Sequence, residues 1–239
     1  MLLKLEEITQ AWGMCISVPK TKIMTLSRPN GTQPLWPICI RGEHVESVDE
    51  FAYLGSQVSC DGSLHVEINN RIARAGKAFH MLLRCFRSKS IERRTKVAVY
   101  KACVLPCLLY GSETWPVLKE HIQRLHVFHM NCLRRICRLS RRRVNNQSVL
   151  EQCRCDSMDM MLHAARLRWL GHVARMAEHR VPKRLLFSHV SGRRSRGKPR
   201  KRWTDVVKDD LKRRGHTNNW YRSCQDRAFW RSMLSRGRN

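Results

Sequence analysis

The chain has 239 residues, 42% of them hydrophobic, so it is long enough to bury a core and too apolar for wholesale disorder. Its 46 Lys and Arg residues outnumber 19 acidic residues, which gives a net charge of +27. Such an excess repels itself unless a polyanion neutralises it, so we expect RNA or DNA as the partner, with an anionic membrane surface as the alternative. The sequence lacks an apolar run of about 18 residues, and MLLKLEEITQ lacks the apolar core of a signal peptide.

Eleven cysteines stand at irregular spacings along the chain. A secreted disulfide framework is shorter and denser in cysteine. We therefore expect reduced, mostly buried or inert thiols and an intracellular location, nuclear or cytoplasmic.

The N-terminal part mixes one helix with short strands. Apolar positions three residues apart predict a helix over 1–11, and the alternation of KTKIMTLS (20–27) predicts a strand. A proline-rich loop follows at 28–37. ICIRGEHVESV (38–48) predicts a hairpin with Gly42 at its turn, because Gly adopts the positive φ of a tight turn freely. It leads into FAYLGS (51–56), an aromatic run that ends in a glycine.

Helical patterns dominate from residue 68 onward. Apolar residues recur at steps of four, three, four, three and four, which predicts a helix with one packed face. The residues of this stripe are Ile68, Ile72, Ala75, Phe79, Leu82 and Phe86. Further helices are predicted over 91–104, with Ser90 as N-cap and an end or kink at Pro106; over 118–139; over 157–177, with Ser157 as N-cap; and over 202–215, with Thr204 as N-cap.

Two basic stretches close the chain. GRRSRGKPRKR (192–202) has seven basic residues in eleven, which cannot bury a core and predict a flexible arm. Beyond it, Trp220, Tyr221, Phe229 and Trp230 stand among arginines. That pattern suits stacking on single-stranded nucleic acid and equally suits a small docking helix.

Several segments, in the same order, resemble non-LTR (LINE-type) retrotransposon reverse transcriptases. FAYLGS is similar to their primer-grip hairpin. The other similar segments are WGMCISVPKTKIMTLS (12–27), just after the polymerase active site; LPCLLYGSETW (105–115), a helix end and turn of the thumb; and RLRWLGHVARM (166–176) with GKPRKRWTDVVKDDL (197–211), in the region after the thumb. The resemblance covers roughly residues 5–215.

The resemblance implies a mainly α fold with a small β-hairpin remnant of the palm. The implied domains are a truncated palm with its primer-grip-like hairpin (1–60), an all-helical thumb-like bundle (61–140), a post-thumb helical region (141–191), and a basic arm with C-terminal helices (192–239). A palm without its first strands is expected to expose apolar surface.

Catalysis in that family requires aspartates that hold divalent metal, two of them in a Tyr-x-Asp-Asp turn that belongs upstream of Trp12. The one adjacent pair of aspartates here, Asp209 and Asp210, lies in a helical pattern near the C-terminus. We interpret this pair as a solvated helix face. We therefore expect no polymerase chemistry and no cofactor in this chain, although the parent enzyme would use Mg²⁺.

The resemblance also implies where nucleic acid would bind. Three groups of basic residues would bind phosphates: the lysines just after the active site, the basic side of the first thumb helix and the basic arm. The primer-grip hairpin would contact the primer strand. The implied residues are Lys20, Lys22, Phe51, Tyr53, Leu54, Gly55, Arg71, Arg74, Lys77, Arg193, Arg194, Arg196, Lys198, Arg200, Lys201 and Arg202. Core packing is the preferred interpretation of Phe51, Tyr53 and Leu54, and solvated faces remain the alternative for the charged residues.

Cys153, Cys155 and His163 have spacings similar to the start of a zinc knuckle found in some LINE-type enzymes. Arg168 stands where a fourth ligand would be expected, and structural zinc requires four ligands. We therefore expect no zinc, with His172 as the alternative fourth ligand. The function expected from the sequence is template–primer binding without catalysis. The alternatives are a domesticated nucleic-acid-binding or interaction protein and a non-functional transposon-derived reading frame.

Overall fold

A computed structural model describes residues 2–26, 37–140, 143–188, 197, 201–215 and 218–235. The chain divides into two compact units, Met1–Asn70 and Arg71–Asn239. Helices dominate the described residues, so the fold is mainly α, as the sequence predicts. Within these ranges, no helix is both long enough and apolar enough to cross a membrane.

The first unit contains one helix and short paired strands. α1 (Leu2–Ala11) forms where predicted but buries none of its side chains. The strand predicted over 20–27 is reduced to two residues. The strands pair two by two: β1 (Lys22–Ile23) runs parallel to β4 (Glu46–Ser47), β2 (Cys39–Ile40) antiparallel to β3 (Glu43–His44), and β5 (Glu50–Tyr53) antiparallel to β6 (Ser56–Ser59).

FAYLGS forms a hairpin with the residues that follow it. Phe51 pairs with Val58 across this hairpin, and Leu54 and Gly55 make its two-residue turn. Both turn residues have positive φ, 47° and 85°. Gly adopts this conformation freely, whereas a Leu there costs about 1–2 kcal/mol. The hairpin thus holds a strained apolar residue at its tip.

The second unit is helical, and α2 leads into it from the first. The predicted stripe of α2 and α3 packs as expected, with Ala75, Phe79 and Phe86 buried. The helices are α2 (His65–Met81), α3 (Leu83–Arg87), α4 (Arg93–Val99), α5 (Leu105–Leu109), α6 (Lys119–Cys137), α7 (Asn146–Cys153), α8 (Met158–Ala174), α9 (Val181–Phe187), α10 (Trp203–Arg213), α11 (Trp220–Gln225) and α12 (Arg227–Ser235).

Two predicted helix starts are wrong and one is confirmed. α4 begins after Glu92 instead of Ser90, and α10 begins after Arg202 instead of Thr204. At α10, Asp205 Oδ2 accepts a hydrogen bond from the Arg202 backbone N–H at 2.9 Å, so a carboxylate in the first turn supplies the cap. Ser157 caps α8 as predicted.

Pro106 does not end its helix. A π-helical turn over Tyr100–Val104 carries the chain into α5, where Pro106 stands in the first turn. A helix start does not use the N–H that Pro lacks, and the wider turn before it accommodates the ring. Of the two predicted alternatives, an end of the helix is therefore wrong, and a local distortion of the helix occurs just before Pro106.

α8 is the centre of the second unit. It contacts α6, the 3₁₀ turn Ser112–Thr114 and each of α9 to α12. Leu167, Leu170 and Ala174 on α8 build a core with residues from the three C-terminal helices: Val207, Leu211, Cys224, Trp230, Met233 and Leu234. Trp230 therefore belongs to a helix that docks on α8, one of the two alternatives predicted for the C-terminal aromatic residues. Separately, α9 was not predicted from the sequence.

Candidate nucleic-acid interface

The predicted contact residues of the basic arm fall largely outside the described part of the chain. Arg193, Arg194, Arg196, Lys198 and Arg200 lie there. Lys201 and Arg202, which the structure does describe, adjoin α10: Lys201 Nζ lies 3.0 Å from Asp209 Oδ2, and Arg202 occupies the N-cap.

The hairpin tip of the first unit is exposed. Tyr53 is 62% exposed and Leu54 76% exposed, so core packing is wrong for these two residues. Phe51 is half-buried. A strained, exposed apolar tip is unfavourable for folding, and such strain often persists at binding sites.

The two predicted lysines of the first unit differ in their surroundings. Lys20 is exposed, at the end of a 3₁₀ turn. Lys22 lies on β1 and forms an ion pair with Glu46 of the adjacent strand. An acidic partner reduces the charge that Lys22 offers to a phosphate.

The predicted basic side of α2 is only partly exposed. Arg71 is 2% exposed, and its guanidinium lies 4.6 Å from the centre of the Tyr110 ring. Its assignment to the basic surface is therefore wrong: Arg71 packs on Tyr110 in a cation–π contact. Arg74 and Lys77 are exposed, as predicted. Tyr110 itself is half-exposed, whereas Trp115 is buried.

A groove of about 740 Å³ runs between α2 and α6. Lys77 lies at its edge on α2, next to Gly76, whereas Arg74 lies on the opposite side of that helix. Its lining combines aromatic rings with polar and basic groups: Gly76, Phe79, His80, Leu83, Phe128, Asn131, Cys132, Arg134, Arg135, Arg138, Leu139 and Ser140. Among these lining residues there is no carboxylate. Lys77 and His80 are three residues apart on α2 and so are surface neighbours, which extends the positive charge along the groove.

Two of the groove arginines are held in place by oxygen atoms. Arg134 donates to Asn146 Oδ1 at 2.8 Å and to the Ser140 carbonyl at 3.3 Å. Arg138 ends α6 with φ 55° and donates to the Arg87 carbonyl at 2.7 Å. These acceptors are amide or carbonyl oxygens, so neither guanidinium group is paired with a carboxylate through these bonds. Arg138 is exposed, whereas Arg134 is buried.

The sequence predicts the helix over 118–139, but the arginines at its end are not among the predicted contact residues. The missing information was the pairing of α2 with α6, which brings Phe79 near Phe128 and His80 near Arg135 in one groove. An aromatic residue followed by arginines one or two turns later on the same helix was the available signal.

Asp210 is not solvated, which corrects the interpretation of the aspartate pair. Arg166 Nε and Nη2 donate to its two oxygens at 2.6 and 3.0 Å, and both residues are 2% exposed. His163 Nδ1 lies 3.0 Å from the same carboxylate. Burial by itself would raise the pKa of Asp210, but the contacts with His163 and Arg166 outweigh it and hold the pKa below its ordinary 3.8.

The structure separates the candidate zinc ligands. Cys153 Sγ lies 3.2 Å from Cys137 Sγ, whereas His163 faces Asp210. Within the described ranges, Cys153, Cys155 and His163 do not form a cluster at metal-ligand distance. His172 is exposed and its ring contacts Trp169 at 5.3 Å between centres.

Over 246 aligned residues, the chain is 24% identical to a Caenorhabditis elegans protein described as uncharacterized and transposon-derived. The alignment covers 99% of this chain and 88% of that protein. This similarity supports a transposon-related origin. No family model and no solved structure matches the chain.

Proposed function

We propose that the chain derives from a non-LTR retrotransposon reverse transcriptase and binds nucleic acid, with the groove between α2 and α6 as its main contact surface. The observation that carries the proposal is the composition of this groove: three arginines and two phenylalanines line it without a carboxylate. Arg135 and Arg138 are exposed and can pair with phosphates, whereas Arg134 and Phe79 are buried and form the floor of the groove. The half-buried Phe128 is the aromatic residue that a base or sugar could contact.

Helix electrostatics explain only part of this charge. Arg134 and Arg135 stand in the last turn of α6, where cations stabilise the partial negative charge of the helix end. Arg74 and Lys77 lie further from the end of α2, so the same effect does not account for them. A polyanion that crosses the groove from α6 to the near edge of α2 would contact Arg135 and Lys77.

Polymerase chemistry is not part of the proposal. Asp209 pairs with the exposed Lys201, and Asp210 is enclosed by Arg166 and His163. Two-metal catalysis needs free carboxylates that hold ions about 4 Å apart, and these two aspartates have other partners.

Removing one charge from each side of the groove tests the proposal. We expect Lys77→Ala/Arg135→Ala to weaken binding to an RNA–DNA template–primer and to reduce the slope of log K against log salt by about 2, one per lost phosphate contact. Fluorescence anisotropy at several salt concentrations measures both effects. Circular dichroism verifies that the variant is folded.

The matched control is Arg227→Ala/Arg231→Ala. Both arginines are exposed on α12, and the double variant loses the same charge. We expect its affinity and salt slope to stay close to those of the natural chain. An equal loss of affinity in the two double variants would contradict a defined interface. It would mean that the chain attracts nucleic acid only through its net charge.

A further inference from the structure

Two thiols meet where α6 and α7 end. Cys137 is the last residue of α6 and Cys153 the last of α7, and their Sγ atoms lie 3.2 Å apart. A disulfide bond is about 2.05 Å long, so the sulfurs would need to approach by only about 1 Å. Cys137 is half-buried and Cys153 is buried.

The surroundings of this thiol pair are basic. Cys153 forms part of the wall of a pocket of about 570 Å³, together with Arg93, Arg94, Lys101 and Arg154. Glu92 is the one carboxylate among the described residues of that wall. The pocket is therefore suited to a small molecule that carries several negative charges.

The two thiols are chemically unequal. With Cys153 as the donor, the hydrogen bond between them lowers the pKa of the Cys137 thiol to about 7, against partial burial and with the help of the Arg93 charge. The same hydrogen bond and burial raise the pKa of Cys153. Near neutral pH, Cys137 thus supplies a nucleophilic thiolate beside a protonated thiol.

We propose that Cys137 and Cys153 form a redox-active dithiol that reacts with anionic low-molecular-weight disulfides, of which glutathione disulfide is the type, and closes to an intramolecular disulfide. This modification site is independent of the nucleic-acid interface proposed above. It rests on the contact of the two sulfurs and on the basic pocket whose wall includes Cys153.

The reaction proceeds by two thiol–disulfide exchanges. The Cys137 thiolate attacks one sulfur of glutathione disulfide, whose S–S bond breaks, and one glutathione leaves as a thiolate. The Cys153 thiol then loses its proton, its sulfur attacks Cys137 in the mixed disulfide, and the second glutathione leaves. Two protein thiols are oxidised to a disulfide while one glutathione disulfide is reduced to two glutathione thiols.

Peptide mapping of the purified full chain tests the proposal. The protein is equilibrated with mixtures of reduced and oxidised glutathione, quenched with acid, alkylated and digested. Trypsin releases Cys137 in 136–138, Cys153 in 144–154 and Cys155 in 155–166, so the two neighbouring cysteines are distinguished. We expect a cross-linked species in which a disulfide joins peptide 136–138 to peptide 144–154, with a mass two hydrogen atoms below the sum of the two peptides. Its amount should be about tenfold that of any other disulfide-linked pair of cysteine peptides.

Two variants check the order of the steps. Cys153→Ser should stop at the mixed disulfide and keep glutathione on Cys137. Cys103→Ser, which removes an exposed thiol elsewhere, should leave the cross-link unchanged. The proposal is overturned if the natural chain yields no cross-link between 136–138 and 144–154, or if Cys155 replaces Cys153 in it. The mapping of the natural chain decides the outcome even where a variant does not fold.

Discussion

Replacement of Asp210 with Ala is expected to destabilise the second unit by about 3–5 kcal/mol, because it leaves the Arg166 guanidinium buried without its carboxylate. The loss should appear as a lower midpoint in urea-induced unfolding followed by circular dichroism. Arg166 lies on α8 and Asp210 on α10, so the pair fixes the position of one helix on the other.

The adjacent aspartate is the control for this variant. Asp209 is half-exposed and pairs with Lys201, so Asp209→Ala should cost less than about 1 kcal/mol. A joint replacement, Arg166→Met with Asp210→Leu, should be less harmful than Asp210→Ala alone, because no buried charge remains unpaired. Similar midpoints for Asp209→Ala and Asp210→Ala would contradict the buried ion pair.

The Asp210 contribution should also depend on pH. Its pKa is lower in the folded chain than in the unfolded chain, so the ionised carboxylate stabilises the fold fully above about pH 4. This stabilisation is lost as the pH falls below 4 through the lowered pKa. The difference in the free energy of unfolding between the natural chain and Asp210→Ala should therefore become smaller as the pH is lowered.

Gly171→Ala is expected to have the second large effect, a loss of about 3 kcal/mol or more from overpacking. A Cβ at this position would stand 2.3 Å from Trp230 Nε1. Trp230 is buried, and its Nε1 donates to the Leu167 carbonyl at 2.9 Å, so the ring has no room to retreat. The higher helix propensity of Ala returns only about 1 kcal/mol. Thermal or urea unfolding measures the difference.

Gly76→Ala is the matched control for this variant. Gly76 is also helical, but a Cβ there would lie 3.9 Å from Phe128, an ordinary contact distance. We expect Gly76→Ala to stabilise the unit by about 0.5–1 kcal/mol, because only the propensity effect operates. An increase in stability in both glycine variants would contradict the close packing of Trp230 of α12 against Gly171 of α8.

The long helices were predictable from the sequence because their signals are local. The α2 stripe from Ala75 to Phe86 and the Ser157 cap of α8 each depend on residues within one or two turns. The turn at Gly42 is equally local, since it depends on a single residue that adopts positive φ freely.

The errors involve partners that are distant in sequence. The sequence predicts Arg71 as a surface cation, but in the structure its guanidinium packs on Tyr110, which follows 39 residues later at the end of α5. Asp210 looks solvated until α8 places Arg166 against it, 44 residues away. Helical periodicity gives the face on which a residue lies, but it does not reveal which helix covers that face.

The sequence predicts the kind of partner, which stays a prediction, but it does not indicate where the groove lies. The net charge of +27 indicates a polyanion, and Arg74 and Lys77 are exposed as expected. The groove forms because α6 lies beside α2, and the sequence pattern of each helix does not indicate which helix lies next to it. The contact between Cys137 and Cys153 was not predictable for the same reason, because the sequence does not indicate that α6 and α7 end side by side.

Binding of the full chain to an RNA–DNA template–primer across a range of salt concentrations tests the central claim most directly. We expect saturable binding that is favoured over heparin and over duplex DNA, with log K falling linearly against log salt at a slope of about −4 or steeper, since about 0.9 counterion is released per phosphate contact. Binding that does not change with salt, or that heparin abolishes at equal charge, would contradict nucleic-acid recognition by this groove.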